Sequence, residues 1–233
     1  MKNPVLLAVL ALVSASPVKG FCRVPQPRLV CAEYFASTVV GEATLVKIES
    51  IPDRDYQGSV IAHVYTLHTD DVFRGQISKA FRIYEANDSG RATFEWKVGR
   101  KYLLFLFYSM ADKSWELDGC GNSGPLAGAK NALDEIETVR KRSGDGTIHG
   151  LVSEQALSIP LSGVRVEARG TNGVYTAVTD EKGRFEIKVP PGSYVVHASK
   201  AGLSFGPADL TYENPERLLI EPGGCVQIQL ASR

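Results

Sequence analysis

The segment Cys120-Gly121-Asn122-Ser123-Gly124-Pro125-Leu126 sets a serine among small residues, the kind of surrounding in which a nucleophile is displayed. Attack by a serine needs a histidine base and an acid that orients it. No histidine upstream of Ser123 sits in a base motif, and a helix is expected directly after it. Ser123 or Gly124 therefore reads as the cap of that helix. The histidines are His63, His68, His149 and His197. His63 and His68 stand five apart on an expected strand and point to opposite faces, which sets them against sharing one metal. His149 and His197 fall in the second half of the chain. All four read as ordinary strand residues. There is no His-Glu-x-x-His, no phosphate-cradling glycine loop and no GxGxxG after a strand. Asp53-Arg54-Asp55 and Asp70-Asp71 are acidic pairs expected on turns, and neither supplies the six or so converging oxygens that calcium needs. Arg140-Lys141-Arg142 suits the negative end of a helix. The expectation is no catalytic residue, no metal and no cofactor.

Cys22, Cys31, Cys120 and Cys225 are the cysteines, and none of their spacings is a metal-ligand spacing. An even count in an exported chain reads as disulfides, with three pairings open. Cys120 is expected to close onto Cys31 or Cys22. Cys225 then either pairs with the one left over, joining the two halves of the molecule, or both stay as thiols. A Lys–Asn isopeptide cross-link is ruled out in the second half. Residues 147–153 hold no lysine and residues 226–231 no asparagine.

Export is read from the start of the chain. Met1-Lys2-Asn3 is basic, Val5 to Val13 is an unbroken apolar run, and small residues follow at Ser14, Ala15 and Ser16. That is a signal-peptide layout. The run is too short to span a bilayer, which takes ~20 helical residues. Cleavage is expected after Gly20, and bulky Phe21 before Cys22 argues against a lipid anchor. Losing Lys2 and Lys19 takes 26 basic residues to 24, against 26 acidic ones. A balance so near zero leaves no electrostatic footprint for nucleic acid or an anionic membrane.

The elements that must position these residues are mostly strands. With 233 residues, 44% hydrophobic and 22% charged, the chain suits two ordinary domains. Val39–Ile48 reads as a strand with Leu45 and Ile48 on buried faces. Ser59–His68 alternates, with Ile61, His63, Tyr65 and Leu67 on one face. Ala80–Tyr84 is short, Lys101–Phe107 reads as buried on both faces, and Trp115–Leu117 closes the set. Leu126, Ala129, Leu133, Ile136 and Val139 recur at helical spacing, with Pro125 at the first helical position. Ser143-Gly144-Asp145-Gly146 is linker chemistry. Beyond it six short strands are expected: Thr147–Ser153, Val164–Ala168, Tyr175–Thr179, Arg184–Val189, Ser193–Ser199 and Cys225–Leu230. Turn signals separate them, as in a β-sandwich.

Residues 31–142 resemble the tissue-inhibitor-of-metalloproteinases-like, or netrin-like, domain. The likeness rests on Val39-Val40-Gly41-Glu42-Ala43, Tyr65-Thr66-Leu67, Val72-Phe73-Arg74-Gly75, Val98 to Phe105, and Cys120-Gly121-Asn122. It implies a five-stranded OB-type barrel with a packed C-terminal helix. Two departures stand out: Cys-x-Cys is absent at the expected mature start, and Ala92–Trp96 lacks the family's cysteine. In the eukaryotic inhibitors the first cysteine chelates the protease zinc through its free α-amine, a role that here would need Cys22 to come first.

Residues 147–231 resemble the carboxypeptidase regulatory-like domain, a small sandwich. Here the likeness rests on Gly146 to Gly150, Pro160 to Val166, Thr179 to Phe185 and Pro191 to Val196. The resemblance implies no catalytic residue, with Asp180–Gly183 turning a hairpin and Phe185 and Tyr194 filling the core. The expected organisation is a signal peptide at 1–20, a barrel domain at 21–143 and a sandwich domain at 147–233. The expected function is that of a secreted, extracellular or periplasmic, non-catalytic binding or scaffolding protein for a protein or carbohydrate partner. The alternative is an inhibitor of an extracellular metalloprotease acting through Cys22.

Overall fold

The computed structural model describes residues 27–88, 90–110, 113–154, 159–209 and 211–232. The expected signal segment, Phe21 and Cys22 lie outside them.

Strands β1 (Val39–Pro52), β2 (Val60–Arg74), β3 (Ala80–Ala86), β4 (Lys101–Ser109) and β5 (Ser114–Leu117) run in the order β1-β2-β3-β5-β4, and β4 returns to pair with β1. That closes an OB-type barrel. The seam is thin at one place: β3 and β5 meet in parallel at the single pair Ile83 and Trp115. A two-residue strand β6 (Gly124–Pro125) joins the outer side of β4.

The apolar run in β4 is explained by its two faces. Tyr102, Leu104 and Leu106 point into the barrel against Leu45, Leu67, Ile83 and Trp96. Leu103 and Phe105 point outward beneath two helices. All five are essentially inaccessible to solvent. Inside the barrel, Trp96 stacks on Tyr65 with centroids 4.5 Å apart and lies 4.7 Å from Tyr102. Such aromatic pairs bury much apolar area in few residues.

The expected burial of Ile48 fails on the β1–β2 hairpin, and burial also changes along the face shared by Ile61, Tyr65 and Leu67. Leu45 is buried, but Ile48 is 38% exposed; Tyr65 and Leu67 are buried, but Ile61 lies open. The register slips between Leu45 and Lys47, a bulge at Val46. Past it the hairpin runs beyond the core and twists, so its apolar residues lose the face that the alternation promised. Asp70 and Asp71 lie inside β2, not on a turn. Asp53 does turn the chain, its Oδ1 accepting the Asp55 N–H at 2.8 Å.

Helix α1 (Val30–Ala36) has no counterpart in the sequence reading, and α2 (Lys130–Val139) starts later than expected, after a 3-10 turn at Leu126–Gly128. Pro125 belongs to β6. Ala129 stands at the N-cap of α2, with no side-chain cap bond. Both helices cover the outward face of β4 through Cys31, Ala32, Tyr34, Ile136 and Val139.

The remaining strands form two four-stranded sheets, β10-β7-β14-β12 and β13-β11-β8-β9. The strands are β7 (Gly146–Glu154), β8 (Arg165–Gly170), β9 (Gly173–Val178), β10 (Arg184–Val189), β11 (Gly192–Ser199), β12 (Phe205–Pro207), β13 (Leu218–Ile220) and β14 (Cys225–Ser232). Their core holds Ile148, Val166, Phe185, Tyr194, Val196 and Ile228. Asp180 turns the hairpin as expected: its Oδ1 accepts the N–H groups of Lys182 and Arg184, and Gly183 takes the positive φ of +70°. The fold is mostly β, a barrel followed by a sandwich.

Candidate functional site

The residues singled out in the sequence do not converge. The Ser123 hydroxyl is not a cap: its Oγ accepts the Phe105 N–H at 2.9 Å, which satisfies a backbone donor of β4 that would otherwise be orphaned. His63 Nδ1 lies 3.2 Å from the Ser50 hydroxyl on the exposed hairpin. His149 Nδ1 lies 3.7 Å from Glu186 on the sandwich, and burial depresses its pKa more than Glu186 raises it. His68 and His197 sit exposed on separate sheets. No group of three potential metal ligands occurs among the described residues.

Cys31 pairs with Cys225, tying α1 to the first residue of β14 across 194 positions, with Cα atoms 6.0 Å apart. This is one of the pairings left open by the sequence, and it joins barrel to sandwich. Cys120 is also disulfide-bonded. Cys22, on which the inhibitor alternative depends, lies outside the described residues.

Around the Cys31–Cys225 link lies a polar cluster that sequence reasoning missed. The Arg28 guanidinium is 7% exposed, donates to Asp118 at 2.7 Å and lies 3.8 Å from Glu213 of the sandwich. It sits between the rings of Phe107 and Tyr212, 5.3 and 5.0 Å from their centroids. Glu33 of α1 is fully buried. Its Oε2 accepts the Asn122 N–H at 2.6 Å and the Asn122 side-chain amide at 2.7 Å, whereas Oε1 has no hydrogen-bond partner among the described residues. Burial pushes the Glu33 pKa up to about 7, against weaker downward pulls from Arg28 and Asn122. Gln227 of β14 accepts the Leu29 N–H at 2.7 Å and donates to the Pro27 carbonyl at 3.1 Å. On the other side of α1, Arg74 makes a two-pronged pair with Glu221 and lies over the Phe35 ring. Arg28–Asp118 and Glu33–Asn122 lie within the barrel lobe, whereas Arg28–Glu213, the Gln227 bonds and Arg74–Glu221 cross to the sandwich.

An uncovered surface remains at the thin seam of the barrel. A cleft of about 490 Å³ runs beside the Ile83–Trp115 pair, lined among others by Phe81, Arg82, Tyr84, Tyr108, Lys113 and Trp115. Tyr84 and Tyr108 are each 41% exposed, and Met110 at the β4–β5 tip is 80% exposed. Tyr108 packs edge-on against Trp115 at 5.1 Å. Lys113 closes the tip with φ +52°, an uncommon backbone setting for a residue with a Cβ. The signal in the sequence was available: aromatic and Met residues at 108, 110 and 115 flank a turn, where a core role is poorly served.

The carboxypeptidase regulatory-like domain model matches residues 147–213. No curated protein matches the chain. Among solved structures, the Bacillus anthracis TIE protein is similar at 13% identity with a TM-score of 0.31, over 84% of this chain and 31% of that one. The chain thus spans under a third of that protein's length.

Proposed function

We propose that the chain is an exported, non-catalytic binding protein that seats a protein partner on the aromatic seam of its barrel, with the sandwich held rigidly behind. The carrying observation is the open cleft lined by exposed Tyr84 and Tyr108 and half-buried Trp115, with Arg82 and Lys113 at its rim and exposed Met110 at the nearby β4–β5 tip. Aromatic residues, Met and Arg are the types enriched where proteins meet, and Trp, Tyr and Arg dominate their energetic hot spots. The regulatory-like match over 147–213 supports a module without chemistry of its own. The strand order of the barrel and the helix packed on it support the netrin-like reading of residues 31–142.

The test compares the intact protein with Tyr108→Ala, which leaves the β3–β5 pair in place, in binding to the extracellular or periplasmic fraction of its source, followed by titration of the captured partner. Truncating a central aromatic is expected to weaken binding at least ~10-fold, since hot-spot residues carry about 2 kcal/mol or more. Equal binding by both proteins, or a partner that proves to be a turned-over substrate, would defeat the proposal.

A further inference from the structure

Strand β9 forms the outer edge of the sheet β13-β11-β8-β9. Its sequence, Gly173-Val174-Tyr175-Thr176-Ala177-Val178, has no charged residue and no proline. Soluble proteins normally blunt an edge with such residues, because unpaired backbone groups template pairing with another chain. Here the opposite holds: Val174 is 57% and Val178 65% exposed, and Thr176 is exposed between them. The backbone of the strand can be followed from its end. The Thr179 N–H donates to the Val164 carbonyl and the Thr179 carbonyl accepts the Gly163 N–H, both at 3.0 Å, so Thr179 turns its groups inward. Antiparallel alternation then turns 177 and 175 inward as well. The N–H and C=O groups of Val174, Thr176 and Val178 face outward.

We propose that β9 pairs antiparallel with β9 of a second copy of this chain, about a two-fold axis through Thr176. The outward-facing residues 174, 176 and 178 are symmetric about 176, so the edge is its own complement. In that register Val174 faces Val178 of the other copy, and Thr176 faces itself. β-branched pairs and Thr–Thr pairs are favourable directly across antiparallel strands. No like charges meet at the junction. The charges stand one strand back on β8, where Glu167 is held between Arg165 and Arg169. The two four-stranded sheets become one of eight strands, and the interface is isologous. An edge this short covers less surface than a permanent dimer needs, roughly 800 Å² per partner, so association is concentration-dependent.

Sedimentation velocity of the oxidised full chain, from micromolar to millimolar, tests this. The wild-type protein is expected to shift from monomer to dimer. Thr176→Lys sets two ammonium groups opposite each other at the axis and should leave only monomer. Thr176→Pro removes an outward N–H that has no role inside the fold and should weaken dimerisation at least tenfold. Thr176→Val keeps the backbone and should still dimerise. Circular dichroism confirms that each variant is folded. A wild-type chain that stays monomeric throughout overturns the proposal. So does open-ended assembly, or dimerisation that survives Thr176→Lys but is lost on Leu219→Lys at the opposite edge.

Discussion

Glu33 is the residue on which the physics of the junction is most exposed. Three carboxylates, Glu33, Asp118 and Glu213, surround the single guanidinium of Arg28, and burial raises the pKa of Glu33 and of Glu213. In the unfolded chain Glu33 titrates near 4.5, whereas in the fold it holds its proton up to about 7. As pH rises through that window the unfolded chain releases the proton first, so the folded state loses stability. The loss is complete above pH 7 and amounts to about 3 kcal/mol at most. Glu33→Gln mimics the protonated form, keeps an acceptor for Asn122 and never ionises. Urea unfolding should find the variant close to wild type at pH 5 and more stable by a few kcal/mol at pH 8. A variant less stable than wild type at pH 8 would mean that the ionised carboxylate is the form the junction needs.

The elements divide by how much of their reason is local. The barrel strands, the sandwich strands β7 to β11 and β14, and helix α2 were legible in the sequence, because period, turn residues and length agree within each segment. Helix α1 was not. Seven residues are too few for a helix to stand alone, and its support comes from β14, the Cys31–Cys225 bond and the outer face of β4. The three-residue strands β12 and β13 likewise exist only through their neighbours. Ser123 misled for a related reason: a serine before a helix suggests a cap, but its real partner, Phe105, is 18 residues away. The aromatic seam escaped because exposure depends on which strands pair, and only one residue pair joins β3 to β5.

The turn leading into β14 shows the same dependence, and it can be tested. Gly223 has φ +67°, and a Cβ there would come within 2.6 Å of the Arg142 backbone. Gly144 has φ +80° but meets nothing within 4 Å. Gly144→Ala should therefore cost only the left-handed backbone penalty, roughly 1–2 kcal/mol. Gly223→Ala should cost clearly more, measured by urea midpoints. Equal costs would show that the close approach between linker and sandwich gives way freely.

The whole molecule is a barrel and a sandwich fastened along one face. No helix among the described residues is long and apolar enough to cross a membrane. The Cys31–Cys225 bond closes a loop of 194 positions, which on the chain-entropy model stabilises the fold by about 5 kcal/mol. Arg74–Glu221, Arg28–Glu213 and the Gln227 bonds run beside it, so the lobes should unfold together while the bond is intact. Both tryptophans, Trp96 and Trp115, lie in the barrel, so fluorescence reports on that lobe alone, whereas far-ultraviolet circular dichroism reports on both. The most direct measurement is urea unfolding followed by both signals, on the oxidised protein and on Cys31→Ala/Cys225→Ala. Coincident curves are predicted for the oxidised protein, and for the double variant a lower midpoint with the two curves drawn apart. Separate transitions in the oxidised protein, or a double variant that unfolds at the same midpoint, would contradict a molecule whose Cys31–Cys225 bond and cross-lobe contacts make the barrel and sandwich one cooperative unit.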